Sequence, residues 1–272
     1  MDFPVQRRTI LIFLDYVSKF DIVFLYETWA DASSDIQLNG FKCHNLFRDF
    51  QHKNARRCSG GVALFYKESL HDGITIERNT ANSVIWIKLN CEFFKSETDI
   101  FIGGAYIWPE DSPAYNVVDI DFFDILENDV NDFSQLGTVY IAGDFNSRVG
   151  CKNDYISHDC INIFDDAHYM PDNHLRRVSQ DTKCNSFGSR LIDLCKYSGL
   201  RIVNGRYHRD YNIGRCTYVT SNGASVIDYL LTHEHSFSGL NEFSFDSINV
   251  WSNHAPVYLG ILCNYVARET IT

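Results

Sequence analysis

The chain reads as an α/β protein, a sandwich built on mixed sheets. Strands outnumber helices along it, and they occur both alternating with helices and as hairpins, which a purely parallel doubly wound fold does not show. No internal repeat, low-complexity tract or Pro/Gly-rich linker divides the 272 residues, so a single domain over residues 1–272 is expected.

The elements follow in order. Ile10, Phe13, Leu14 and Val17 fall on one helical face behind Arg7 and Arg8. Asp21 to Tyr26 is a buried strand that ends at Glu27-Thr28-Trp29, and Gly60-Gly61 opens a second strand over Val62–Tyr66. Val84–Leu89 is a third, with Ile85, Ile87 and Leu89 alternating against Trp86 and Lys88. Ile100–Ile107 is a fourth, and Gly103-Gly104 inside it predicts a bulge or a close backbone approach. Val118, Phe122, Ile125 and Leu126 mark an amphipathic helix ahead of the strand Thr138–Ala142. The polar stretch from Gly150 to Gln180 is too long for a passive turn. A helix near Leu191–Tyr197 and a short strand Arg201–Asn204 follow. The last third is strand: Cys216–Thr220, Ser225–Leu231, Phe245–Val250 and Val257–Cys263, with a hairpin turn at Ser221-Asn222-Gly223.

Composition bounds the function. The hydrophobic fraction of 45% supports a sizeable core. A formal net charge of -11 argues against nucleic-acid binding by bulk electrostatics and leaves room for a local basic patch or a bound cation. Nine scattered cysteines with no C-x-x-C pair fit buried thiols in a reducing compartment, not a zinc ribbon. The apolar run Ile10–Leu14 is too short for a membrane span and is broken by Asp15. An intracellular protein, nuclear or cytoplasmic and without a membrane partner, is expected; a monomer is the default.

Polar groups gather at strand ends. In Thr138-Val139-Tyr140-Ile141-Ala142-Gly143-Asp144-Phe145-Asn146 an apolar strand runs into a glycine, a carboxylate and a carboxamide. If strand geometry persists one step further, Asp144 and Asn146 point the same way. A plain turn gives the same pattern. Glu27 follows one strand, Tyr106 ends another, Asp228 lies within Val226–Leu231, and Asn253-His254 precede the last strand. Each has an ordinary structural reading, as a cap, a core residue or a loop hydrogen bond. Asp228 resists it most, because a carboxylate among Val, Ile, Leu and Tyr needs a partner, and a histidine is the natural one.

Together the set suits phosphodiester hydrolysis, which needs an activated water, positive charge at the phosphoryl oxygens and help for the leaving alkoxide. Glu27 suits Mg²⁺. Asp144 suits water activation. Asn146, Tyr106 and an imidazolium at His254 suit phosphate oxygens, with Asp228 raising and orienting His254.

The ordered motifs Glu27-Thr28-Trp29, Gly143-Asp144-Phe145-Asn146, Ile227-Asp228-Tyr229 and Ser252-Asn253-His254 resemble the endonuclease/exonuclease/phosphatase superfamily. Gly60-Gly61-Val62-Ala63, Leu200 to Arg206 and Ser225 to Tyr229 favour the apurinic-like endonuclease domains of non-LTR (LINE-type) retrotransposons. The likeness covers about residues 7–264. It implies a four-layer α/β sandwich, two mixed sheets face to face with helices outside. It also implies Mg²⁺ or Mn²⁺, a DNA substrate, Glu27 as metal ligand, Asp144 on the water, Asn146 and Tyr106 on phosphate, and an Asp228–His254 pair. The chain departs from that family twice. Only Met1–Gln6 precede the first helix, so the family's first strand is expected to be missing. Asn253 also stands where the family carries an Asp metal ligand, which lowers the ligand charge.

Three functions stay open: a DNA-nicking endonuclease, a phosphatase or phosphodiesterase of the same superfamily, and a truncated, inactive copy. Arg56-Arg57, Arg176-Arg177 and Arg206, Arg209 and Arg215 are candidate phosphate contacts, or solvated surface.

Overall fold

The structure is a computed structural model, and it describes residues 13–30, 36–47, 60–156 and 175–265. Its centre is one six-stranded mixed sheet in the order β4 (Ile74–Thr80), β5 (Val84–Leu89), β6 (Asp99–Tyr106), β7 (Gly137–Asp144), β11 (Asp228–His233), β8 (Leu200–Ile202). Only β6 and β7 run parallel, and α3 (Phe122–Ser134) connects them. The register sets Tyr106 opposite Asp144 and Asp144 opposite Asp228. Three polar residues thus stand in one row across three adjacent strands, and residues in one row share a face.

Smaller antiparallel sheets make the second layer. One has the order β1 (Ile22–Tyr26), β3 (Val62–Lys67), β2 (Phe41–Leu46). The others are the pair β12 (Leu240–Phe245) with β13 (Val257–Ile261) and the hairpin β9 (Tyr218–Thr220) with β10 (Gly223–Ser225). β1 seats on the central sheet because Gly104 has no side chain: a Cβ there would lie 2.1 Å from the Phe24 ring. The Tyr26 hydroxyl crosses between layers and donates to the Ala142 carbonyl at 2.9 Å. Met1–Gln6 lie outside the described residues; within those residues β1 pairs only with β3 and β13 only with β12.

Helices cover the far face. Phe133 of α3 meets both Trp86 and Phe101 at 4.8 Å between ring centroids. α4 (Ser186–Ser198) buries Leu191, Ile192, Leu194 and Cys195. Both starts follow from sequence: Asp121 caps α3 by accepting from Phe123 N and Asp124 N, and Asn185 caps α4 by accepting from Gly188 N. Residues 13–17 form α1, which turns Tyr16 onto Trp251 and Tyr258, and α2 is the single turn Cys91–Phe94. No helix among the described residues is long and apolar enough to cross a membrane.

One buried network pins the helix layer to the sheet. The Asp129 carboxylate accepts from Trp86 Nε1 at 2.8 Å, from Thr80 Oγ1 at 3.0 Å and from the Arg78 guanidinium. Asp129→Ala is expected to cost about 2–4 kcal/mol, because it strands the buried indole N–H and removes a charge-assisted bond. Urea unfolding of the variant measures that loss, and an unchanged midpoint would show the network to be idle.

The α/β class and most strands stand where the sequence places them, but several details change. Gly103-Gly104 makes close approaches to Trp86 and Phe24, and no register shift occurs there. Lys88 is the one residue of β5 that is not fully buried, so β5 is covered on both faces and does not alternate as read. Ser225–Leu231 is two strands, β10 and β11, because the chain leaves one sheet and joins another around Ile227. Phe245–Val250 is not a strand: β12 ends at Phe245 and residues 246–250 form a loop. Strands β2 and β4 carry mixed polar sequences, FKCHNL and ITIERNT, whose alternation the surrounding polar residues conceal.

Candidate active site

The polar row at the ends of β6, β7 and β11 is the floor of the site. Asp144 and Asp228 are both buried, at 5% and 6% exposure, and sit directly opposite each other in the ladder. Two facing buried carboxylates repel, so each needs a compensating partner. Asp228 has His254, whose Nδ1 lies 3.0 and 3.1 Å from its two carboxylate oxygens. Asp144 has Asn146, whose backbone N–H donates at 2.9 Å and whose side-chain amide donates at 3.2 Å. The same amide donates to the Ile107 carbonyl at 2.8 Å, which fixes its orientation.

The strand does not continue through Asn146, as the sequence suggested. β7 ends at Asp144, and Asn146 turns back in the left-handed region with φ 47°. An Asx-type turn unites the pair instead, and Asn tolerates that backbone better than most residues. Gly143 enters the turn at φ 152°, where a Cβ would lie 1.9 Å from the Ala105 carbonyl oxygen.

Glu27 reaches the row from the second layer. The Tyr106 hydroxyl donates to its Oε1 at 2.6 Å. The loop that presents it is strained, with Glu27 at φ 53° and Trp29 at φ 50°. Gly60 and Gly61 hold that loop: Trp29 N donates to the Gly60 carbonyl at 2.9 Å and Thr28 N to the Gly61 carbonyl at 3.4 Å. The resemblance puts Tyr106 on a phosphate oxygen, and here its hydroxyl donates to Glu27.

Electrostatics follow from the crowding. Burial pushes the Asp144 carboxyl well above the usual range, and the facing Asp228 charge adds to this; His254 and the Asn146 N–H oppose it. Burial alone would lower the His254 imidazole. The hydrogen bond to Asp228 and the negative charges of Asp228, Asp144 and Glu27 overcome it and raise His254 to about 9.

The donor set fits a hard divalent cation. Asp144 and Asp228 offer carboxylate oxygens within 4.8 Å of each other and of a His254 ring nitrogen, and Glu27 is close enough to perturb both Asp144 and His254. Three carboxylates converge on one cationic side chain, a charge imbalance that an oxygen-loving ion relieves. Asn253 is not visibly part of this. Its side chain is exposed, and its described hydrogen bond is through the backbone carbonyl, to Val219 N at 3.0 Å.

The arginine candidates divide. Arg206 is buried and doubly bonded to Asp154 at 2.8 and 2.9 Å, so it is a framework residue and not a phosphate contact. Arg177 donates to the Lys152 carbonyl, Arg215 to the Phe245 carbonyl, and Arg209 lies 3.5 Å from Glu242. Arg176 is exposed, and Arg56-Arg57 fall outside the described residues. Two site residues escaped sequence reading. Thr217 Oγ1 accepts from Ile227 N and Asp228 N at 3.1 Å, and Tyr26 lies close enough to Asp228 and Asp144 that its phenol is driven upward, burial being the larger cause. Neither carries a motif; a buried hydroxyl next to a strand is the weakest of signals.

Comparisons with known proteins bear on the family and the fold. A family model described as the Endonuclease/Exonuclease/phosphatase family matches residues 6–249. No curated protein matches the chain. Among solved structures, the endonuclease domain of TRAS1, a telomere-specific non-LTR retrotransposon, is similar at TM-score 0.54 and 14% identity, covering 92% of this chain and 90% of that one. The Xenopus laevis APE2 catalytic domain is similar at TM-score 0.61 and 17% identity, covering 94% and 87%. A Neisseria 3' phosphatase bound to product DNA hairpin is similar at TM-score 0.55 and 17% identity, covering 92% and 94%.

Proposed function

Because this chain belongs to the endonuclease/exonuclease/phosphatase family, we propose that it is a metal-dependent phosphodiester hydrolase that nicks DNA, in the manner of a non-LTR retrotransposon endonuclease. The observation that carries the reading is the convergence of Glu27, Tyr106, Asp144, Asn146, Asp228 and His254 at the ends of β1, β6, β7, β11 and the loop before β13.

In this reading Glu27, held by Tyr106, is the carboxylate for Mg²⁺ or Mn²⁺, and Asn253 is a weak neutral donor at most. A bound divalent cation supplies positive charge to the phosphoryl oxygens. Asp144 takes the proton of the attacking water, and its raised pKa makes it a better base than an exposed carboxylate. Asn146 orients Asp144 through its backbone N–H and its side-chain amide. His254, held cationic by Asp228, donates to a non-bridging oxygen as charge builds there.

Supercoiled plasmid with Mg²⁺ or Mn²⁺ tests this. Relaxed circles are expected from the chain as it stands, and none with EDTA or in Asp144→Ala or His254→Ala. Release of nitrophenol from p-nitrophenyl phosphate, with the plasmid left intact, would favour the phosphatase reading. A folded protein inert on both would mark a disabled copy, and would point to Asn253.

The glycine loop gives a further expectation. Gly61 sits at φ 92°, and a Cβ there would lie 2.5 Å from Thr28 Oγ1. Gly61→Ala should displace the Glu27 loop and raise the Mg²⁺ concentration for half-maximal nicking by about tenfold, as expected from misplacing one ligand of a preorganised site. An unchanged metal titration would show that the loop does not set Glu27.

A further inference from the structure

A short segment splints Asp228 to His254. Thr217 is fully buried. Its hydroxyl takes the N–H groups of Ile227 and Asp228, its N–H donates to the Ser225 carbonyl at 2.9 Å, and its carbonyl accepts from Ala255 N at 2.7 Å. Two residues further, Val219 N donates to the Asn253 carbonyl at 3.0 Å. Residues 217–219 are therefore stitched on one side to the start of β11 and on the other to the loop that carries His254. Between the two stitches, Tyr218 is bridged to His254, and their rings lie 4.6 Å apart at 48°.

An imidazole held only through Nδ1 can still tilt about that hydrogen bond. An aromatic ring against one face removes the tilt, and such ring pairs are favourable in themselves. Nε2 has no hydrogen-bond partner among the described residues, so it is the ring atom left to act. The Tyr218 hydroxyl likewise makes no hydrogen bond there; the ring, not the phenol, is what touches His254.

We propose that Tyr218 is a positioning residue for His254: it clamps the imidazole against Asp228 so that Nε2 faces the reacting phosphate. The proposal rests on the phosphodiesterase reading of the site. It assigns Tyr218 to turnover and not to substrate affinity, since it acts through another side chain.

The test uses the full chain with Tyr218→Ala, Tyr218→Phe and Tyr218→Leu. Steady-state nicking in Mg²⁺ gives kcat and KM. ¹H–¹³C NMR of the metal-free protein gives the His254 ring signals, assigned by their loss in His254→Ala. In Tyr218→Ala, kcat should fall about tenfold with KM within twofold, in line with the cost of small misplacements. The His254 ring protons should lose the ring-current shift, and Tyr218→Phe should restore both. A raised KM with unchanged kcat would overturn the proposal by making Tyr218 a substrate contact. Unchanged His254 shifts would overturn it as well. Circular dichroism checks folding, and Tyr218→Leu carries the test if the alanine variant unfolds. If the parent chain does not nick at all, the nuclease reading fails separately, and the NMR comparison still decides whether Tyr218 holds the imidazole.

Discussion

Asp144→Asn is expected to reduce nicking about a thousandfold while making the metal-free protein more heat-stable at neutral pH. The first effect follows from removing the base: positioned proton transfer is worth about 10²–10⁴ in rate. The second follows from the same burial. The Asp144 carboxyl is pushed upward by desolvation first and by Asp228 second. A carboxyl raised on folding keeps its proton in the folded state at pH values where the unfolded chain has lost it. Its contribution to stability is present below the unfolded pKa of about 4 and is lost as pH rises through the raised folded value. Above the unfolded value Asp144 therefore weakens the folded state, and Asn, which does not titrate, removes that cost. The Asn side chain keeps an oxygen for the Asn146 N–H, which donates at 2.9 Å in the parent. Thermal melts in EDTA from pH 4 to pH 8 should show the variant gaining on the parent as pH rises. A variant that nicks like the parent, or melts lower across that range, would sink the assignment. The paired readout also separates a lost base from a lost fold, which an activity assay alone does not.

The part of the site that lay open in the sequence is the part encoded by neighbours in the chain. Gly143, Asp144 and Asn146 fall within four residues, and the turn that joins them is local, so the pair was legible even though its geometry was misread. Asp228 was legible for a different reason. A carboxylate in an apolar strand needs a partner, and His254 meets that need at 3.0 Å. The half-buried strand β1 and the buried strands β5, β6 and β7 announced themselves as apolar runs.

What stayed hidden is nonlocal. Nothing in the segment around Tyr106 tells that its hydroxyl ends on Glu27, a residue 79 positions earlier. Arg206 reads as a surface cation beside Arg209 until Asp154 is seen beneath it. Phe245–Val250 looks like a strand by composition, yet its partner β13 ends the pairing at Phe245, and the rest turns away. Gly60-Gly61 reads as the start of a strand; its second use, gripping the backbone of residues 28–29, depends on β1 and β3 being antiparallel neighbours. In each case the missing information is which distant segment lies alongside.

His254→Ala is expected to lower kcat about 10²–10³-fold, the usual cost of removing one donor that stabilises developing negative charge. Its pH signature is more specific than its size. Burial works against the His254 charge, and the Asp228 hydrogen bond with the charges of Asp228, Asp144 and Glu27 outweighs it, holding the imidazole at about 9. Since an unfolded histidine titrates near 6.5, the pair's contribution to stability is complete below about pH 6.5 and is lost as pH rises through about 9. Metal-free parent protein should therefore soften between those values, and His254→Ala should lack that softening. Asp228→Asn removes the nearest charge and turns a charge-assisted hydrogen bond into a neutral one. Only the charges of Asp144 and Glu27 then oppose burial, and both the stability loss and the alkaline fall in nicking should move to lower pH. If Asp228→Asn instead left the alkaline limb where it is in the parent, the limb would belong to another group and His254 would not be the cation at the phosphate. The Asn substitution keeps the side-chain shape and a carbonyl oxygen beside Nδ1, so a shift of the limb without loss of fold isolates charge from geometry. Charge is what distinguishes this pair from a merely well-packed histidine.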